Sequence, residues 1–202
     1  MLINEDSEFE KQGVKFKVIT EDMYEAVKDF YWQYYVPEEP ISRSLNLTRS
    51  KMIDKFMLDD VFPHNCSIAA VNDDGDILAI RLGQIRTQDQ WMEKVVDKMF
   101  KKIDTSPRLS SWFMGDEIGR NANISRKLFD LLGYDIWKIM KDLKCTKMYE
   151  DKAVCSARFH GIKGLGTEIV KRSEALAAEM GCTHTYAVVT GRWSWSKQDL
   201  KF

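Results

Sequence analysis

An α/β fold, with a central mixed β-sheet flanked by helices, is what the order of apolar patterns along this chain predicts. Three observations carry that reading. Val14–Thr20 alternates apolar and polar residues, as a half-buried strand does. Cys66–Leu82 holds two apolar runs around Asn72-Asp73-Asp74-Gly75, and Asp-Gly between such runs is a strong hairpin signal. Lys147–Met180 reads as strand, glycine-rich turn and helix, with the strand-like run at Ala153–Ala157 and the turn centred on Gly161-Ile162-Lys163-Gly164-Leu165-Gly166-Thr167.

Taken in order, residues 1–12 are polar and expected to be loose. After the first strand, Thr20 is placed to cap a helix whose buried face is Met23, Ala26, Val27, Phe30 and Tyr34. That helix ends in the aromatic run Phe30–Tyr35 and meets Pro37-Glu38-Glu39-Pro40, where prolines on both sides favour an extended, rigid loop. An acidic pair beside five aromatic rings suits an amine with an apolar body; it equally suits an acidic surface loop next to core aromatics. Leu47–Val61 is a second helical pattern with Thr48 as its cap, followed by the hairpin. Trp91–Ile103 reads as helix, Asp104–Gly119 as a connection, and Ile124–Leu143 as helix. Beyond the central unit come a strand at Thr183–Val189, a turn at Thr190-Gly191-Arg192, and a short helical piece from Trp193 to Lys197.

At 202 residues and 44% hydrophobic content the chain is expected to form a single domain with a real core. A formal net charge of −1 argues against a general nucleic-acid binder. No apolar run approaches 18 residues, which argues against a membrane span. The acidic N-terminus lacks the pattern of a signal peptide, so a cytoplasmic address is expected. Cys66, Cys145, Cys155 and Cys182 have no Cys-x-x-Cys spacing and read as reduced core thiols. His64, His160 and His184 have no ligand spacing with them, so no metal is expected.

The glycine cluster carries the chemistry. Glycine permits left-handed φ and close approach of a ligand to the main chain. The first amides of a helix lack internal partners, and the dipole there is positive, so a phosphate fits. Lys163 adds charge. The spacing lacks the Lys-Ser/Thr of a P-loop and reverses the Gly-x-Gly-x-x-Gly of a dinucleotide fold. A glycine-rich turn with no ligand is the other reading.

Lys163-Gly164-Leu165-Gly166-Thr167, late in the chain on a strand-turn-helix unit, resembles the acetyl-CoA loop of the GNAT N-acetyltransferases, although Gly161 stands where Arg or Gln is usual. Pro37-Glu38-Glu39-Pro40-Ile41 with Ser42–Leu45, the Cys66–Leu82 hairpin, and Thr190-Gly191-Arg192-Trp193-Ser194 resemble segments of the insect-type arylalkylamine N-acetyltransferases. The resemblance covers roughly residues 14–196 and implies a single domain over 1–202. It implies Glu39 as general base, since only the free amine attacks a thioester and a carboxylate desolvated beside aromatic rings is a better proton acceptor. It implies Ser194, and second Ser196, as the acid for the departing thiolate, with Tyr186 as a fallback. It assigns the main chain of Val154, Cys155 and Ser156 to the pantetheine arm, where the strand opens like a V. The amides of Ile162, Lys163, Gly164, Leu165, Gly166 and Thr167 fall to the pyrophosphate. No covalent acyl-enzyme is implied, and Cys155 reads as a small buried hydrophobe.

Members of that family usually continue past the equivalent of Phe202 into a final β-hairpin, so the fold class expected is GNAT-like without that hairpin. Its absence would leave an exposed sheet edge, a domain-swapped partner, or poor catalysis. The function expected is acetyl-CoA-dependent transfer to a small arylalkylamine in a ternary complex, by a monomer or weak dimer. Glu38, Asp59 and Asp60 would also suit a polyamine or agmatine-like acceptor, and a CoA-binding module without catalysis is the alternative from another class. A nucleotide-dependent oxidoreductase would need Glu179 as the ribose acid, which lies inside the helix rather than after a second strand.

Overall fold

The computed structural model describes residues 8–89, 121, 124, 125, 128, 136–158 and 161–191. The expected helix at Trp91–Ile103, the connection at Asp104–Gly119 and the piece at Trp193–Lys197 lie outside those residues, as does most of the stretch before Ile136.

Five strands form one sheet in chain order: β1 Lys15–Val18, β2 Ile68–Val71, β3 Ile77–Thr87, β4 Lys147–Ser156 and β5 His184–Ala187. Neighbours are antiparallel from β1 to β4, whereas β4 and β5 are parallel. The described helices are α1 Tyr24–Phe30, α2 Pro40–Ser44, α3 Lys51–Asp54, α4 Ile136–Asp142 and α5 Leu165–Glu179. Side chains alternate across a strand, so each face of the sheet carries its own core. On one face Ala69, Val71, Ile80, Leu82 and Ala153 meet Val27, Phe30 and Tyr31, with Ile53 and Leu58. On the other, Ile68, Ala70 and Ala79 meet Leu165, Ile169 and Leu176 of α5.

The hairpin, the glycine-rich βα unit and the mixed sheet agree with the sequence reading. Several local details differ, each for a physical reason. Thr20 makes no cap bond; its hydroxyl donates to Asp22 Oδ1 at 2.5 Å, and a short 3₁₀ turn precedes α1. Ser50 rather than Thr48 sits at the start of α3, its Oγ accepting from the Ile53 amide at 3.4 Å. Residues 8–12, expected to be loose, contain a turn that brings Phe9 edge-on to Phe16, with centroids 6.1 Å apart and planes at 88°. The Phe9 ring buries against the α5 face, which a reading of that segment as polar overlooks.

The largest difference is the length of β4. The strand starts at Lys147, well before the apolar run at Ala153–Ala157, because Glu150, Asp151 and Lys152 disguise it. Those charges are tolerated because each has a partner. Arg81 donates from Nε and Nη2 to Asp151 Oδ2, both at 3.0 Å, and from Nη1 to the Val170 carbonyl at 2.7 Å. Glu150 accepts from Gln84 at 2.7 Å, Arg86 at 2.5 Å and Lys152 at 2.6 Å. Leu82 pairs with Ala153 while Gly83 pairs with Asp151, so Lys152 is the extra residue of a β-bulge. Pairing of β4 with β5 ends at Asp151 and Ala187.

The Arg81 side chain is only 1% exposed, so removing it strands a buried carboxylate. Arg81→Met is expected to cost about 3–5 kcal/mol of stability, measured by urea unfolding, whereas Arg81→Met with Asp151→Leu should recover much of that loss. Wild-type stability in the single variant would refute the assignment of this pair as structural.

Candidate active site

Where β4 and β5 part, a cleft of about 600 Å³ opens. Asp151–Ser156 and Arg158 form one wall, Ala187–Gly191 the other, and Tyr34, Tyr35, Glu38, Glu39 and Pro40 cover it. The main chain of Val154, Cys155 and Ser156 is paired with β3 on one side only and faces this opening on the other. The V-shaped parting expected of this strand is therefore present.

Local sequence explains how Glu39 reaches the cleft. The Pro-bracketed segment is not an extended loop throughout. Glu39, with φ −72° and ψ 123°, is the N-cap of α2, and Pro40 occupies the first helical position, where its missing N–H costs nothing. The Glu39 carboxylate accepts from the Ser42 amide at 2.6 Å through Oε2 and from the Ile41 amide at 3.1 Å through Oε1. A third donor comes from the opposite wall: the Thr190 hydroxyl donates to Oε1 at 2.8 Å. The residue is 5% exposed. Thr190 was not singled out as a site residue by sequence; its signal is a hydroxyl on the segment that follows β5, a segment the sequence reading valued for its serines.

The aromatic run divides between both of its sequence readings. Helix α1 continues through a wide, π-type turn at Tyr31–Tyr35, in which the Tyr31 and Tyr35 rings stack at 5.0 Å and 21°. Phe30 and Tyr31 belong to the core, while Tyr34 and Tyr35 line the cleft. Desolvation, followed by the Glu39 charge, keeps the Tyr35 hydroxyl protonated far above its ordinary range. Burial likewise pushes the Cys155 thiol up, so it sits in the cleft as a neutral group rather than a nucleophile.

Other acidic candidates separate. Glu38 lies at the cleft mouth in an exposed ion pair with Arg158. Asp59 and Asp60 are not among the lining residues; Asp59 accepts from the Tyr24 hydroxyl at 2.5 Å. Tyr186, the fallback acid, is instead packed against Met140, Cys145 and Met148 beside α4. Ser194 and Ser196 lie outside the described residues. Among the described residues no three His, Cys, Asp or Glu side chains converge as metal ligands, and no helix is long and apolar enough to cross a membrane.

The glycine-rich loop lies in sequence between β4 and α5. Gly161 and Gly164 have φ of +67° and +82°, left-handed values that side chains with a Cβ rarely adopt. Gly164 is the N-cap of α5. Among the described residues, no backbone hydrogen bond is made by the amides of Lys163 and Gly164, and the turn over 163–164 opens at Ile162. The Thr167 amide differs from expectation: it donates to the Gly164 carbonyl at 2.9 Å and is not available to a ligand. The Leu165 and Ile162 side chains anchor the loop by packing on the α5-face core.

No protein-family model and no curated protein matches the sequence. Solved structures do match by shape. Arylalkylamine N-acetyltransferase 2 from Aedes aegypti superposes with a TM-score of 0.67 at 24% identity, over 91% of this chain and 79% of that one. A polyamine N-acetyltransferase of Drosophila melanogaster gives 0.65 at 13% identity, over 91% and 79%. An agmatine N-acetyltransferase gives 0.66 at 13%, over 92% and 80%. Sheet order, the parting of β4 from β5, the loop on the following helix and these superpositions agree: the chain has the fold of the GNAT N-acetyltransferases.

Proposed function

We propose that this chain is an acetyl-CoA-dependent N-acetyltransferase that acts on a small arylalkylamine by direct transfer, with Glu39 as general base. The observation that carries the reading is a nearly buried carboxylate facing the cleft where β4 and β5 part, with a glycine-rich helix N-terminus later in the same βα unit. The names of the superposed structures, which act on arylalkylamines, agmatine or polyamines, support the reaction class.

The residues present fit a CoA thioester. The N-terminus of α5, capped by Gly164 and next to Lys163 in sequence, suits a diphosphate. The half-paired main chain of Val154–Ser156 suits the amides of a pantetheine arm. When bound, acetyl-CoA supplies an activated acetyl group. The chain's own part is proton transfer and orientation. An ionised carboxylate has about four lone-pair sites, and three on Glu39 are filled by Ile41, Ser42 and Thr190. The free site on Oε2 is proposed to accept the amine's proton, directly or through a water. Tyr34 and Tyr35 offer flat apolar surface to an aromatic substituent. Ser194, and after it Ser196, are proposed to return a proton to the thiol side.

A thiol-release assay with acetyl-CoA and a panel of arylethylamines tests the reading. Glu39→Gln is expected to lower kcat by roughly 10²–10⁴ with CoA affinity little changed. Binding of CoA without thiol release in the wild-type protein would leave a CoA-binding module instead. Gly164→Ala forces a strained φ at the N-cap of α5 and is expected to weaken CoA binding several-fold by calorimetry. Unchanged affinity there would remove the loop from the cofactor site.

A further inference from the structure

Resting on the acetyltransferase reading, we propose that Phe9 is a positioning residue of the cofactor site. Its ring, carried on the N-terminal turn, holds the Gly164 end of the glycine-rich loop in the shape that receives the CoA diphosphate.

The turn is closed on itself and fixed to the sheet. The Phe9 carbonyl accepts from the Gln12 and Val14 amides, both at 3.0 Å, and the Gly13 amide donates to the Glu10 carbonyl at 3.0 Å. Gly13 ends the turn with φ of +76°, and the chain then enters β1 through the buried Val14. The turn is also fastened to α5. The Arg172 guanidinium lies 4.1 Å from the centre of the Phe16 ring, and its Nη1 is 3.8 Å from a Glu10 carboxylate oxygen. That anchor is about two helical turns beyond Gly164. From it the Phe9 ring reaches the start of the helix: a Cβ built on Gly164 would lie 3.7 Å from Phe9 Cζ, an ordinary van der Waals contact. Ile162 and Leu165 pack in the same apolar cluster as Phe9. A Cβ on Gly161 would meet nothing within 4 Å among the described residues, so the support is confined to the Gly164 half of the loop. Glycine loses more backbone entropy on being fixed than any other residue. A loop already held before the ligand arrives does not lose that entropy on binding. Phe9 is not among the residues lining the cleft, so its effect belongs to CoA affinity and not to the chemical step.

Phe9→Ala is expected to raise the calorimetric Kd for CoA and the KM for acetyl-CoA by about tenfold, with kcat and the amine KM little changed. Phe9→Leu, a milder change of shape, should raise both by only about two- to threefold. Leu176→Ala removes a buried side chain from the same core, about three turns along α5 from Leu165. It should lower the unfolding midpoint and leave CoA affinity at the wild-type value. Wild-type affinity in either Phe9 variant, or an equal loss of affinity in Leu176→Ala, overturns the proposal. No heat of CoA binding to the wild-type protein would instead sink the acetyltransferase reading, and this inference with it.

Discussion

The pair formed by Arg81 and Asp151 is the contact on which the rest of the molecule leans. It is buried between β3, β4 and α5, and its guanidinium also reaches the Val170 carbonyl of the helix. A buried ion pair contributes little net stability compared with apolar packing, but leaving either member alone is costly. Its effect is therefore one of geometry more than of affinity between strands. It holds β4 at the residue where pairing to β5 stops and where the bulge begins. The same side chain ties α5 to that point, so the cleft and the amides at the start of α5 are set by one set of hydrogen bonds. The Arg81 guanidinium also stacks 5.0 Å above the Tyr149 ring, which fills the space that a lone charge would leave open.

Glu39 serves two demands that pull in different directions. As an N-cap it satisfies the amides of Ile41 and Ser42, and those bonds fix its position. As the proposed base it would also have to keep a lone pair free. The hydrogen bond from Thr190 makes the compromise visible: it joins the two walls of the cleft through the same carboxylate and still leaves one acceptor site on Oε2. A cap built from Asp or Ser would hold α2 as well, yet would not place a carboxylate at this depth with a free oxygen.

Much of the fold was legible in the amino-acid order, and the reasons the rest was not are specific. Asp74-Gly75 announced the hairpin because Gly75 takes φ of +90°, and the βα unit announced itself through Gly161 and Gly164. Periodicity hid the first half of β4, since Glu150, Asp151 and Lys152 look like a surface strand until Arg81 and Arg86, far away in sequence, are known to meet them. In the site, Glu39 could be read from its proline bracket, but its capping bonds could not, because they depend on a five-residue helix too short to show a period. Thr190 was invisible for a related reason: a hydroxyl 151 positions away acquires meaning only when the sheet brings both cleft walls together.

The wide turn after α1 shows how one irregularity serves core and cleft at once. Through the π-type turn, residues four apart keep ring contact: Phe30 and Tyr34 lie 4.6 Å apart between centroids, and Tyr31 and Tyr35 lie 5.0 Å apart. Phe30 and Tyr31 are buried in the core, while Tyr34 and Tyr35 pack on that same core and also line the cleft. Trp32 packs on the same core and its indole N–H donates to Asp54 of α3 at 2.6 Å. This side of the cleft is therefore an extension of the core, with Tyr34 and Tyr35 beside Glu39 needing no separate element to support them.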